Sequence, residues 1–568
     1  MKRTAIVFAL GLVSCAGTPR EEAADLVLRN GRIVTVDDAR PEARALAARD
    51  GLIVAVGSEE EIEPYIGDGT RVIDLQGMLA VPGLIEGHGH YMSWGASLME
   101  LELRHARSWD EIVRMVAKAV ESASPGEWIV GRGWHQDKWD RRPEPSIEGL
   151  PTHESLSAVS PENPVFLSHT SGHGVLANAK AMEIAGLTRE SKDPPGGEMV
   201  RDARGNLIGV LREAAAQPVR DALAKYRAAR PAEDIEKEQR EHVRLAAEAA
   251  IENGITSFQD MGSTFATIDL LNRMADEGAL PLRLYVAVQE TAADMKDRLA
   301  AYRTVARGNG FLTVRAIGEK VLDGALGTHG GWLLEPYSDL PRSVGFNVTP
   351  VEDIEASAAL AAEHDYQMAI QGIGDRAART LFDIYEKEFG KHPGKKEYRW
   401  RIEHAQVIHP DDLPRFAKLG VIPGIQGIFA CSDGPWVEDR LGKERTRERG
   451  YLYRSMIDSG AVVMNGTDPP VEEIDPIASF HCSVTRELPD GTIFLPGQAM
   501  TREQALRSYT LNNAFAAFEE NVKGSLIPGK YADITVLSKD ILTIPDEEIR
   551  STEVVYTIIA GEVRLERR

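Results

Sequence analysis

The chain has 568 residues, 43% hydrophobic and 27% charged, with 65 basic against 87 acidic side chains and a net charge of -22. Such a length exceeds what one hydrophobic core organises, so at least two domains are expected. The acidic balance excludes a nucleic-acid partner, which needs a basic face, and argues against adhesion to anionic lipid.

The first 15 residues read as a leader. Met1-Lys2-Arg3 is basic, and Ala5 to Val13 is an apolar stretch too short to span a bilayer. Leu12-Val13-Ser14-Cys15 resembles a bacterial lipobox, in which the leader is removed before the cysteine and the cysteine is lipidated. The expectation is an exported chain with a lipid anchor at Cys15 and a tether over residues 16–24. Ala16 points to the periplasmic face of the outer membrane. The other two cysteines, Cys431 and Cys482, exclude a disulfide framework and leave room for one bridge.

Short β-like runs follow: Asp25–Leu28, Arg32–Val36, Leu52–Val56 and Arg71–Leu75, punctuated by Asn30-Gly31, Asp50-Gly51 and Gln76-Gly77. The C-terminal end has the same texture over Asp533–Leu537, Glu553–Ile559 and Gly561–Val563. Chain ends often meet in space, so residues 25–84 and 519–568 are expected to form one β-sandwich domain.

The middle, residues 85–518, alternates strand and helix. A strand begins near Val81, and seven more are expected near Ile255–Phe258, Leu282–Val286, Leu312–Ile317, Gln367–Ile370, Tyr398–Ile402, Val421–Ile425 and Ala461–Met464. Pro423 sits awkwardly in the seventh. Helical apolar spacing falls between them at 234–252, 291–306, 352–363, 377–388 and 448–459. Eight such units predict an α/β fold with a closed parallel (β/α)8 barrel. The first crossover is far too long, so residues 95–230 are expected to form an inserted subdomain. Within it, Trp134, His135 and Trp139 serve either the pocket wall or the subdomain core.

In a barrel the chemistry gathers at the C-terminal strand ends. After the first strand come His88 and His90, which share a face at i and i+2 and form half of a metal site. After the fourth comes Lys320 in Gly318-Glu-Lys-Val-Leu-Asp-Gly324, after the fifth Gln371-Gly-Ile-Gly-Asp-Arg376, after the sixth Glu403-His404, and after the eighth Gly466-Thr-Asp468. Singly, each has an ordinary reading: a surface lysine, a core histidine, an aspartate in a turn. Their joint placement past the strand ends of one barrel is what those readings leave unexplained.

Together these motifs resemble the amidohydrolase superfamily, and within it the YtcJ-like branch that includes N-substituted formamide deformylase. Thr510-Leu-Asn-Asn-Ala514 and the stretch Lys523–Asp533 are similar as well, and the resemblance runs from about residue 25 to the end. It implies a metal-dependent hydrolase acting on a small molecule through a C–N amide-type bond of an N-acyl or N-formyl compound. By position it implies that His88, His90 and Asp468 bind the first metal, and that His404 binds a second. A carboxylated Lys320 would bridge the two, and Asp468 would act as general base. His173 falls where the family covers its substrate.

Zinc is the expected ion, with iron, manganese or nickel as alternatives. Two departures stand out. Gln371 replaces the usual histidine, which favours one tightly held metal with Gln371 as a weak ligand or substrate contact. Glu86 replaces the usual aspartate before the histidine pair. A deaminase, cyclic-amide hydrolase or lactonase would use the same site, and a catalytically quiet binding lipoprotein is the reading from another class.

Overall fold

The computed structural model describes residues 22–136, 139–169, 174–194, 197–395 and 397–567. The leader, Cys15 and His173 lie outside them. The chain divides into two compact units. Of the described residues, one takes 22–85, Gly254–Thr256 and 502–567; the other takes those within Glu86–Asn253 and Ser257–Thr501.

The first unit carries two sheets, one from the N-terminal segment alone and one built from both chain ends. In a four-stranded sheet, Leu26–Arg29 lies between Ala45–Arg49 and Arg71–Asp74. In a six-stranded sheet, Leu79–Pro82 from the N-terminal half pairs antiparallel with Ile534–Leu537 from the C-terminal half. Alternate side chains such as Leu26, Leu28, Leu46, Ile534, Val536 and Ile558 form a shared core. Period-two apolar runs have only this way of burying one face.

The second unit is organised on eight parallel strands: β1 (Leu84–Gly89), β2 (Ile255–Ser263), β3 (Arg283–Val288), β4 (Leu312–Val321), β5 (Gln367–Gly372), β6 (Arg401–His404), β7 (Ile422–Gln426) and β8 (Met464–Gly466). They pair in that order around the sheet. The two ends of the series meet where Asp468 N–H donates to the His88 carbonyl at 2.9 Å and Glu86 accepts from Thr467 N at 2.7 Å and Thr467 Oγ1 at 2.8 Å. The buried Glu86 carboxyl thus pins the end of β8 to β1; burial raises its pKa to about 7 against those donors. All eight expected strands are present, and β7 contains Pro423. The continuous helix expected over 291–306 is instead two four-residue helices, Ala292–Met295 and Leu299–Tyr302. They lead into a short strand, Thr304–Ala306, that pairs with β4.

The long first crossover holds a six-stranded sheet of its own, ordered Gly197–Arg201, Leu207–Glu213, Gly174–Ala177, Val165–His169, Ile129–Trp134 and Leu101–Glu102. Trp134 and Trp139 belong to its core, packed with Trp109, Leu156 and Val165. No helix among the described residues is long and apolar enough to cross a membrane.

Candidate metal centre at the strand ends

The site is assembled from β1, β4, β6 and β8. His88 lies within β1, and His90 just past its end caps the helix Tyr91–Ser97. Asp260 on β2 steadies that helix by accepting Tyr91 N–H at 2.9 Å. Asp468 follows β8 with φ 61°, in the left-handed region, held there by its own N–H on the His88 carbonyl. His404 ends β6 at φ 66°. Both are backbone conformations that non-glycine residues seldom adopt, and such positions gather at functional sites.

Four of the five expected ligands come together: His88, His90, His404 and Asp468. His88 Nε2 and His90 Nε2 lie 3.7 and 3.4 Å from Asp468 Oδ1. Lys320 is not among them. Its Nζ is 2.6 Å from Asp353 Oδ2, on the helix Val351–His364 that follows β4. The carboxylate that reaches the histidines belongs to Glu319. Its Oε2 lies 3.7 Å from both His88 Nε2 and His90 Nε2, and its Oε1 lies 3.1 Å from His404 Nε2.

A bulge explains the exchange. Ile317 pairs with Met368 and Lys320 with Ile370, so three steps on β4 span two on β5. Simple alternation from Ala316 would turn Lys320 inward, but the extra residue turns Lys320 outward and Glu319 in.

Two groups aim the imidazoles. Glu403 Oε2 is 2.8 Å from His88 Nδ1, and its other oxygen is 2.5 Å from Arg401 Nε. Gln426 Oε1 is 2.7 Å from His404 Nδ1. With Nδ1 donating in each case, both Nε2 lone pairs face the centre, the arrangement that metal-binding histidines require. Sequence reasoning passed over Glu403 and Gln426. The signal for Glu403 was Arg401-Ile-Glu403, charged at i and i+2 around an apolar residue in a buried strand.

Three of the converging atoms, His88 Nε2, Glu319 Oε1 and Asp468 Oδ1, are buried and make no well-directed hydrogen bond among the described residues. Buried polar atoms left in that state are costly, and here they point at one another. The donors also fall into two overlapping triads, His88, His90, Glu319 and His88, His404, Asp468. Three imidazoles and two carboxylates fit a divalent transition ion.

The electrostatics agree. Burial opposes the charge on Glu319, but His88 and His404 outweigh it and hold its pKa at about 2. Burial likewise opposes the His404 imidazolium, and Glu319 outweighs that, pushing it up to about 10. The Asp468 carboxyl is raised by burial.

Past β5 the picture changes. Gln371 Nε2 donates to the Asp323 carbonyl. The Asp323 carboxylate accepts three backbone N–H groups, from Trp332 at 2.7 Å, Gly374 at 2.8 Å and Ile373 at 3.0 Å.

A family model described as the amidohydrolase family matches residues 71–564. The protein LONG AFTER FAR-RED 3 of Arabidopsis thaliana is 32% identical over 559 residues, which cover 96% of this chain and 92% of that protein. The N-substituted formamide deformylase of Arthrobacter pascens is 26% identical, over 96% of this chain and 98% of that one. Among solved structures, an uncharacterized metal-dependent hydrolase from Pyrococcus horikoshii OT3 matches with a TM-score of 0.75 and 26% identity, over 92% of this chain and 99% of that chain.

Proposed function

Because the chain belongs to the amidohydrolase family, we propose that it hydrolyses a C–N amide-type bond of a small N-acyl or N-formyl compound at the strand-end cluster. The observation that carries this is the set of buried, unsatisfied donor atoms converging from His88, Glu319 and Asp468. His88, His90, His404, Glu319 and Asp468 would hold one divalent ion tightly, zinc by the mixed imidazole and carboxylate chemistry. When bound, it supplies Lewis acidity to the scissile carbonyl and to the attacking water.

The chain's own residues do the rest. In this reading Asp468 Oδ1 takes the proton from water and returns it to the leaving nitrogen. Its backbone N–H on the His88 carbonyl fixes that oxygen beside His88 and His90. Glu403 and Gln426 hold the imidazoles so that no rotation is needed during turnover. Amide-type chemistry is also what the formamide deformylase's name describes, and that relative spans nearly the whole chain.

The test is a screen of zinc-loaded protein on N-formyl, N-acyl, cyclic-amide and ester compounds, followed by Asp468→Asn on whatever is cleaved. Turnover is expected to fall by about 100-fold or more, the range for losing a general base. Unchanged turnover would remove Asp468 from the mechanism, and a loaded protein that cleaves nothing would favour the binding-lipoprotein reading.

We also propose that the chain works exported and anchored through Cys15. The pairing of Cys431 with Cys482, joining the helices Phe429–Leu441 and Pro476–Thr485, supports this because such bridges persist in oxidising compartments. Replacing Cys15 by Ser should release the protein from membranes on fractionation; retention would overturn the anchor.

A further inference from the structure

We infer that Glu319 is the central ligand in place of a lysine carbamate, so that the centre loads its ion without carbon dioxide. This rests on the hydrolase reading above and deepens it. A carbamate at Lys320 would require its amine to reach the imidazoles, attack carbon dioxide to form an N–C bond, and release a proton. The fold denies the first requirement. Lys320 shares the outward face of Ile370 through the β4 bulge, and its Nζ is committed to Asp353. Asp353 is itself fixed, accepting Ala292 N–H through its other oxygen at 3.2 Å.

Glu319 already supplies what a carbamate would. It presents one carboxylate with two oxygens, Oε2 toward His88 and His90 and Oε1 toward His404. Gln289 Nε2 holds its backbone by donating to the Glu319 carbonyl at 3.1 Å. Donor separations also decide how many ions this carboxylate serves. Ligand atoms about 2.1 Å from a single ion stand about 3–4 Å from one another. The closest acid–histidine pairs run from 3.1 Å for Glu319 with His404 to 3.7 Å for His88 with Asp468, and the donor atoms of each triad lie within 4.8 Å of one another. A second ion about 3.5–4 Å further on needs ligands of its own. The side chain on β5, Gln371, offers only a neutral amide oxygen, a poorer ligand for such an ion than an imidazole, and its amide nitrogen donates to the Asp323 carbonyl.

The test is metal loading of the full chain, which does not depend on knowing a substrate. Protein stripped by a chelator is refilled with zinc in degassed, bicarbonate-free buffer and in buffer with added bicarbonate. Metal content is read by elemental analysis and intact mass in parallel. Equal loading in both buffers, with no carboxyl adduct in the mass, is expected. Loading that requires bicarbonate, or an adduct mapped to Lys320, overturns the role of Glu319 and leaves the hydrolase reading standing. Failure to bind zinc in either buffer overturns both.

Two variants sharpen the result, each checked for folding by thermal melting. Glu319→Gln should weaken zinc binding by more than about 100-fold, beyond the roughly 10–100-fold that losing a merely supporting group costs. Lys320→Arg keeps the charge that faces Asp353 but cannot carry a carbamate, and should load as the wild type does. The reverse pattern would return the ligand role to Lys320.

Discussion

The two sides of the barrel mouth treat their polar atoms in opposite ways. Where β1, β4, β6 and β8 end, the donor atoms of His88, Glu319 and Asp468 are buried and left without well-directed partners. Around the end of β5, Gln371 in that strand and Asp323 just after β4 are equally polar, but their groups are absorbed by the backbone: three N–H groups on the Asp323 carboxylate and one carbonyl under Gln371. A fold tolerates the first condition only where a ligand completes it, whereas the second is ordinary satisfaction of buried polar groups. Polarity alone therefore does not locate the site. What locates it is the direction in which unspent lone pairs point.

The largest expected effect that tests this contrast is on stability. Asp323→Ala leaves three backbone N–H groups without their acceptor, at a cost of about 3 kcal/mol or more. Zinc content of the folded fraction should be unaffected, because Asp323 holds the loops and not the ion. Chemical denaturation alongside elemental analysis separates the two. A variant that keeps its stability and loses its metal would move Asp323 to the other side of the comparison.

A smaller effect follows from titration. Burial raises the Asp323 carboxyl to about 7 despite its three backbone donors, and raises Asp433 to about 7 despite its bonds from Tyr451 and Gln406. Both start from an unfolded value near 3.8. Between about pH 4 and 7 the folded chain therefore holds protons that the unfolded chain has released, so stability falls as pH rises through that window. The slope is at most about 1.4 kcal/mol per pH unit for each group. Glu319 runs the other way: its lowered pKa adds stability above the unfolded value of about 4.5 that is lost as pH falls toward 2. Denaturant midpoints of metal-stripped protein read the first effect across pH 4 to 7 and the second below about pH 4.5. For Asp433→Asn the decline should be shallower, and an unchanged slope would show that Asp433 does not titrate there.

The barrel was legible because short apolar runs alternate with segments of helical apolar spacing, and because His88-Gly-His90 and Gly466-Thr-Asp468 sit at the ends of two of them. The bulge in β4 was not legible. It adds one residue opposite Met368–Ile370, so alternation along the strand does not show that Glu319 is the inward side chain, and the family resemblance was carried onto Lys320. The positioning groups were hidden for a different reason. Gln426 acts only because β7 lies beside β6, and the Cys431–Cys482 bridge joins helices 51 residues apart. Such pairings are facts of register and packing, which residue patterns along one strand or helix do not encode.

The last prediction acts on the comparison directly, by converting one side into the other. Gln371→His places an imidazole near the end of β5, next to the strand that ends in His404. It removes the amide that donates to the Asp323 carbonyl, a loss of about 1 kcal/mol for one hydrogen bond. If the amide is what denies a second ion its ligand, zinc content under excess metal should rise from about one toward two per chain, as in centres whose ions stand about 3.5–4 Å apart. The added ion should be the weaker and be lost first on dilution into chelator, because Glu319 and His404 would be shared while His88, His90 and Asp468 remain with the first. If zinc content does not change, the residue type at 371 is not what limits loading. The limit would then lie in Asp323, whose hold on the backbone of Ile373 and Gly374 keeps the end of β5 too far from the shared carboxylate.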